Sequence, residues 1–246
     1  MKLYYDFHIH SGLSPCGDNE MTPNNIVNMA KLYDLDVIAL TDHNSTLNCK
    51  AVMEAGKEIG LLVIPGMELC TAEEVHLVCL FPDLNKATKF GDYVRSTLPP
   101  IRNKPTVFGE QLVFDKNDNV LGFEHTLLIT ASSISANDAV SIVEDYDGIC
   151  YPAHIDRNSY SIISNLGIID DSFRFNCAEV ADTDTLEALK KQHPYLNKLK
   201  ILSSSDAHYL EHMRLKEHYI EAEENSVEAI FRFLKSPCYK ECDYEY

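Results

Sequence analysis

The sequence predicts an α/β fold: a mostly parallel sheet, closed or nearly closed into a barrel, with helices packed around it. Two observations predict it. Apolar strand-like runs alternate with helix-like stretches along most of the 246 residues, the pattern of repeated strand–helix units. Histidines and carboxylates also recur where those strands end, and a parallel barrel places its active site at that rim.

The strands read at 3–9, 36–41, 61–66, 75–81, 148–153, 176–180 and 199–204. The first, in "YYDFHIHSGLSPCGD", carries His8 and His10 near its end. Side chains alternate across a strand with period two, so both imidazoles point the same way. Helices read near 23–34, 48–59, 84–95, 136–146, 184–193 and 225–235. Thr22 is a suitable cap for the first, Pro23 suits its first turn, and Ile26, Met29, Ala30 and Tyr33 form one apolar face. Val227, Ile230, Phe231 and Leu234 repeat that spacing in the last.

Two places break the rhythm. "GMELCTAEEVHLVCLF" leaves too few residues for a crossover helix, so it reads as a hairpin. Residues 96–133 contain "DKNDN", a hairpin turn, and are expected to form a small insertion lining the pocket of a single domain spanning 1–246.

Length and composition set limits. A chain of 246 residues, 45% hydrophobic, buries a sufficient core without disulfide staples. No run of eighteen apolar residues predicts a membrane span. No basic, then apolar, leader precedes the first strand, so none is expected. Most of the eight cysteines lie in or beside apolar runs and lack zinc-ribbon spacing. They read as buried thiols in a reducing cytoplasm; a Cys238–Cys242 bridge is the less favoured alternative. The net charge of −17, with no dense basic run, argues against long nucleic acid as a partner. An acidic protein can still hold a small anion where metal ions reverse the local sign.

The polar residues at the strand ends carry the chemistry. Strand one ends in His8 and His10, strand two in Asp42 and His43, and strand three in Glu68. His76 opens the returning hairpin strand; His154 follows strand five, Glu179 lies on strand six, and Asp206 and His208 close strand seven. Six of the ten histidines thus reach one rim. Each buried imidazole needs a partner, and shared metal ions supply partners for all. Imidazole with carboxylate suits Zn, Mn or Fe better than Ca or Mg. One tetrahedral site uses three or four protein ligands, so this number of ligands implies more than one ion.

At these residues the sequence resembles the PHP (polymerase and histidinol phosphatase) family of metal-dependent phosphoesterases. The matching pieces, in order, are "DFHIHSGLSPCGD", "MTPNNIVNMAK", "DVIALTDHNS", "VIPGMELCTAEEVHLVCLF", "YPAHIDR" and "SSSDAH". The resemblance implies a distorted seven-stranded (β/α) barrel with two or three divalent metals at its mouth. It assigns His8, His10, Glu68 and Asp206 to the first metal. Glu68 bridges to a second, held also by His76 and His154. His43, His208 and an early-loop residue hold the third; Asp18 is the best match, with Cys16 as a substitute. Arg157 matches a basic position that relatives use near phosphate, and Arg157 and Asp206 are the candidate catalytic residues.

Asp42 is expected to support His43, and Glu179 to play a similar part or to cap a neighbouring strand. His125, His193, His212 and His218 match no site position. The implied reaction is hydrolysis of a small phosphorylated metabolite or a nucleotide by water activated between metals. Two alternatives stay open: an amidohydrolase-like C–N hydrolase, disfavoured because no strand-end lysine is placed to bridge metals, and a non-catalytic metal-binding module. Oligomeric state has no signature in the sequence.

Overall fold

The computed structural model describes residues 1–238. Its main sheet joins six strands in the order β10–β1–β2–β3–β4–β7. These are β1 (Lys2–Ile9), β2 (Val37–Leu40), β3 (Leu62–Cys70), β4 (His76–Leu80), β7 (Ile149–Pro152) and β10 (Tyr219–Glu221). β1, β2 and β3 run parallel, whereas β3–β4, β4–β7 and β1–β10 are antiparallel. β3 runs past its expected end because β4 returns along it, with Gly66 opposite Leu80 and Cys70 opposite His76. A Cβ on Gly66 would come within 2.8 Å of the Cys79 carbonyl oxygen, so the close pairing needs glycine there.

Among the described residues the strands do not close into a seven-stranded barrel. β8 (Cys177–Glu179) and β9 (Lys200–Leu202) make a separate parallel pair, and the main sheet stays open. Side chains interrupt the ladder. The Phe7 amide donates to Ser204 Oγ at 3.2 Å and the Ser205 amide to Asp6 Oδ1 at 3.0 Å, so groups that would form ladder rungs bond to side chains instead. Single backbone bonds carry the curl onward: His10 N–H to the Ala207 carbonyl at 3.0 Å, and Ile155 N–H to the Glu179 carbonyl at 2.8 Å.

Helices cover the outer face. α1 (Pro23–Leu32) starts at Thr22, whose side chain accepts from the Asn25 amide; it buries Ile26, Val27 and Ala30 beside α2 (Cys49–Glu58). α3 (Leu84–Thr97) and α5 (Ala136–Glu144) start at Asp83 and Ser135, each capped by its own side chain. α8 (Val227–Lys235) packs Ile230, Phe231 and Leu234 in one core cluster with Leu3, Phe7 and Tyr151.

Within 96–133, α4 (Pro105–Phe108) precedes a hairpin of β5 (Leu112–Phe114) and β6 (Val120–Phe123). Asp115 Oδ1 accepts from the Asn117 and Asn119 amides and closes its turn. The Asn48 side chain bonds to both Leu112 O and Phe114 N and ties the hairpin to α2. α6 (Ile162–Leu166) and α7 (Leu186–Gln192) follow β7 and β8.

No helix among the described residues is long and apolar enough to cross a membrane. The seven described cysteines are free thiols; Cys242 lies outside the described residues.

Candidate metal centre

β1 changes its facing just before the rim. Leu3, Tyr5 and Phe7 all join the interior core cluster, which is the alternation of a regular strand. Between Asp6 and Ile9 the register with β2 shifts, and His8 then faces inward as well. Such irregularities re-aim side chains next to active sites. β3 and β4 keep strict alternation. Ile64 and Glu68 share one face, as do His76, Val78 and Leu80. His154 and Asp206 lie just past β7 and β9 with φ of 29° and 51°. Non-glycine residues take that left-handed region uncommonly, Asp and His more readily than most.

These elements converge on the Glu68 carboxylate. His43 Nδ1 and His76 Nδ1 lie 2.9 Å from its oxygens, His154 Nε2 3.1 Å, His8 Nε2 3.2 Å and His10 Nε2 3.4 Å. Asp206 Oδ1 sits 3.0 Å from His10 Nε2 and 3.3 Å from His8 Nε2. Glu68 and His8 are fully buried, and His76 is the most open of the five imidazoles.

The outer hydrogen bonds decide which way the lone pairs point. His8 Nδ1 lies 2.9 Å from Glu179 Oε1, a carboxylate that can only accept, so this nitrogen carries the proton. Ser14 Oγ donates its one proton to Asp42 Oδ1 at 2.8 Å, so His10 Nδ1, 2.9 Å from Ser14 Oγ, donates to it. In their neutral form both rings turn an Nε2 lone pair toward carboxylate oxygens. Acceptor facing acceptor is repulsive, and a cation between them removes the conflict. His8 Nε2, His43 Nδ1 and Glu68 Oε2 are buried without a satisfied hydrogen bond. These orphaned atoms, and the imidazole–carboxylate donor set, fit divalent metal ions.

Three groupings have their donor atoms within 4.8 Å of one another: His8, His10, Glu68 and Asp206; His43, Glu68 and His76; and His10, His43 and His208. Protons take up some of the same negative charge. Burial opposes charge on His8, but Glu179, Asp206 and Glu68 raise its pKa well above the usual imidazole range. Burial would raise the Glu68 pKa, yet His76, His8 and His43 hold it well below the usual carboxylate range. Burial, and then His208 alongside, push His10 well below its ordinary value.

The early loop places its residues differently from the expectation. Asp18 Oδ1 accepts from the Glu20 amide at 2.8 Å, and its own amide bonds to the His208 carbonyl, so its carboxylate is engaged by a turn. Cys16 instead lines the cavity with His43 and His208. Burial acts to raise its thiol pKa, but these two histidines within hydrogen-bonding reach outweigh that and lower it to about 6.

Asp42 also differs from the expectation. It accepts from the Ser11 amide and from the hydroxyls of Ser11 and Ser14, so its support goes through Ser14 to His10. Glu179 holds His8 Nδ1 and also accepts from the His154 amide at 3.2 Å. Ser14, which bonds His10, Asp42 and the His43 amide, is a site neighbour that the sequence reading missed; the spacing His10-x3-Ser14 carries no distinctive signal.

Arg157 donates to Asp206 Oδ2 at 2.5 Å with its side chain 44% exposed, so it can reach solvent at the cluster. With Ile129, Ser159 and Tyr160 it lines a cavity of about 260 Å³ above Glu68 and His76. His125, His193, His212 and His218 belong to none of the three groupings.

The PHP domain family profile matches residues 6–236, nearly the whole chain. The chain belongs to the PHP family. Among relatives of this PHP chain, a 5'-3' exoribonuclease of Haemophilus influenzae is 34% identical over 83 residues, 32% of this chain and 29% of the relative. A 5'-3' exoribonuclease of Salmonella typhimurium is 34% identical over 87 residues, 33% of this chain and 29% of that one. The matched stretches therefore span under a third of these relatives.

The PHP fold is also shared with the lesion-specific endonuclease EndoQ of Pyrococcus furiosus, at TM-score 0.71 and 21% identity, covering 96% of this chain and 56% of that one. A Bifidobacterium adolescentis protein, described as a candidate metal-dependent phosphoesterase, matches at TM-score 0.62 and 18% identity over 94% of this chain and 95% of its own. Endonuclease Q has been solved on a 27-mer duplex with an abasic lesion at its active site, and shares the fold at TM-score 0.67.

These relatives overturn the expectation that the partner is a small phosphorylated molecule and not a long nucleic acid. Net charge sums over the whole surface, whereas strand binding is decided where the strand touches, and metal ions reverse the sign at the mouth of a PHP site.

Proposed function

We propose that this chain is a metal-dependent phosphoesterase that hydrolyses phosphodiester bonds of nucleic acid, drawing a strand end into the rim cavity. One observation carries the reading: Glu68, fully buried, faces five imidazoles within 3.4 Å, and Glu179 and Ser14 hold the Nδ1 atoms of His8 and His10 so that both Nε2 atoms face it. The names of the exoribonuclease and endonuclease relatives support the substrate class.

In this reading His8, His10, Glu68 and Asp206 hold one ion, and Glu68, His76 and His154 a second. His43 and His208 hold a third with Cys16, which takes the place expected for Asp18. Two or three ions of Zn, Mn or Fe would supply Lewis-acid polarisation of the phosphate and ease ionisation of the attacking water. Glu179 and the Asp42–Ser14 pair keep the His8 and His10 rings in the tautomer that ligates. Arg157 leaves Asp206 for the phosphate and offsets its charge, as a guanidinium does with bidentate geometry. A cavity of about 260 Å³ lies just under the usual range of ligand sites, a size that favours a single nucleotide over a duplex. Residues 96–133 serve as an insertion that completes the cavity wall through Ile129. The free thiols fit a reducing compartment, the cytoplasm.

The test is digestion of single-stranded RNA and DNA oligonucleotides, with and without a 5'-phosphate, by protein loaded with Mn or Zn. Stepwise shortening from one end is expected. Metal-loaded protein that cleaves no phosphoester, or that cleaves amides instead, contradicts the reading.

A further inference from the structure

Tyr160 is held at the mouth of the cavity in a conformation that its neighbours must enforce. Its φ is +55°, a left-handed backbone that bulky residues rarely take. That backbone brings the Tyr160 carbonyl to the His76 amide at 2.9 Å. Its ring lies on the His76 imidazole, with centroids 4.7 Å apart and planes inclined by 25°. One face of the phenol is therefore covered by a candidate metal ligand, yet the residue remains 44% exposed and lines the cavity. Ile129, carried by a different segment of the chain, contributes an apolar side chain to the same cavity. The remaining lining is dominated by histidines, carboxylates and Arg157, so Tyr160 and Ile129 supply the apolar surface.

From this juxtaposition, and resting on the phosphodiesterase reading, we propose that Tyr160 and Ile129 form a base clamp. The clamp takes the unpaired terminal nucleobase of a single strand, which stacks on the open face of Tyr160 while its phosphate lies at Arg157 and the metal cluster. Flat π-faces stack on aromatic side chains whatever the base, so the clamp selects an unstacked base over a paired one without reading sequence. It also gives the strained backbone of Tyr160 a purpose: the ring is pre-positioned over His76, and base and phosphate are registered together.

Two measurements separate this proposal from the reading beneath it. The first compares KM for a 5'-phosphorylated trinucleotide with KM for the same strand bearing a tetrahydrofuran abasic residue at its end, in wild type, Tyr160→Ala and Tyr160→Trp. The base-bearing to abasic KM ratio is expected to rise about tenfold in Tyr160→Ala and to stay near wild type in Tyr160→Trp. An unchanged ratio, with both substrates weakened equally, would show that Tyr160 only props His76 and would overturn the clamp. The second needs no turnover: quenching of a strand ended in 2-aminopurine, expected with wild type and lost in Tyr160→Ala. Quenching without hydrolysis would sink the phosphodiesterase reading and keep the clamp; hydrolysis without quenching would do the reverse.

Discussion

Below the rim, the strands bury Leu3, Phe7, Ile64, Val78 and Tyr151 against one another and against α8. Toward the rim, the same strands bury His8, Glu68 and His76, and β8 adds Glu179. Each fully buried side chain of the lower layer contributes roughly 1.5–3 kcal/mol. Each buried charge of the upper layer costs several kcal/mol unless it is matched. The upper layer is thus a cost that the lower layer carries, offset by opposite charge placed among its carboxylates, whether protons on the imidazoles or bound cations. Stability and chemistry are stacked along the same strands, and each layer can be perturbed by itself.

The largest effect expected is on activity from the upper layer. Glu68→Ala removes the carboxylate shared by five imidazoles and should lower turnover on the order of a thousandfold or more. A phosphodiesterase assay that finds near-normal turnover would break the division between layers. Ile64→Ala strikes the lower layer, with an expected loss of about 2–5 kcal/mol in denaturant unfolding. Its metal content should match wild type, and a lost ion would show that the layers are coupled.

Removing metal tests the offset itself. Ions at a hundred times their Kd stabilise by about 2.7 kcal/mol, so chelation should lower Tm by roughly 5–10 °C. An unchanged Tm would mean that protons on His8 and His43 match the carboxylates as well as cations do. Glu179→Gln keeps shape but weakens the hold on His8 Nδ1, and metal affinity by titration should fall about 10–100-fold. Smallest is Cys16→Ser. Cobalt-loaded wild type should show a thiolate charge-transfer band in the near ultraviolet that the variant lacks, and the band's persistence would remove Cys16 from the site.

Most of the upper layer was legible because its residues sit at fixed offsets from long apolar runs. His8 and His10 share a face by period two, and Glu68 and His76 follow from the hairpin. β10 was not legible: three residues, Tyr219 to Glu221, carry no periodicity. The open sheet was hidden as well, since nothing in "SSSDAH" tells that Ser204 and Asp6 take ladder amides. The early loop shows the limit most clearly. Spacing favoured Asp18, but two successive turns, Ser14 N–H to the Ser11 carbonyl and Gly17 N–H to the Ser14 carbonyl, bring Cys16 back to the rim. A Cβ on Gly17 would lie 2.6 Å from the Ser11 oxygen, so the loop depends on that glycine. Tyr160 was missed because its placement depends on one left-handed residue in "RNSYS".

The central claim is that cations hold the upper layer together, and elemental analysis by mass spectrometry tests it most directly. Protein dialysed free of loose metal should retain at least two transition-metal ions per chain, and folded Glu68→Ala fewer. Folded wild-type protein that retains less than one ion per chain after loading with Zn, Mn or Fe would contradict the account.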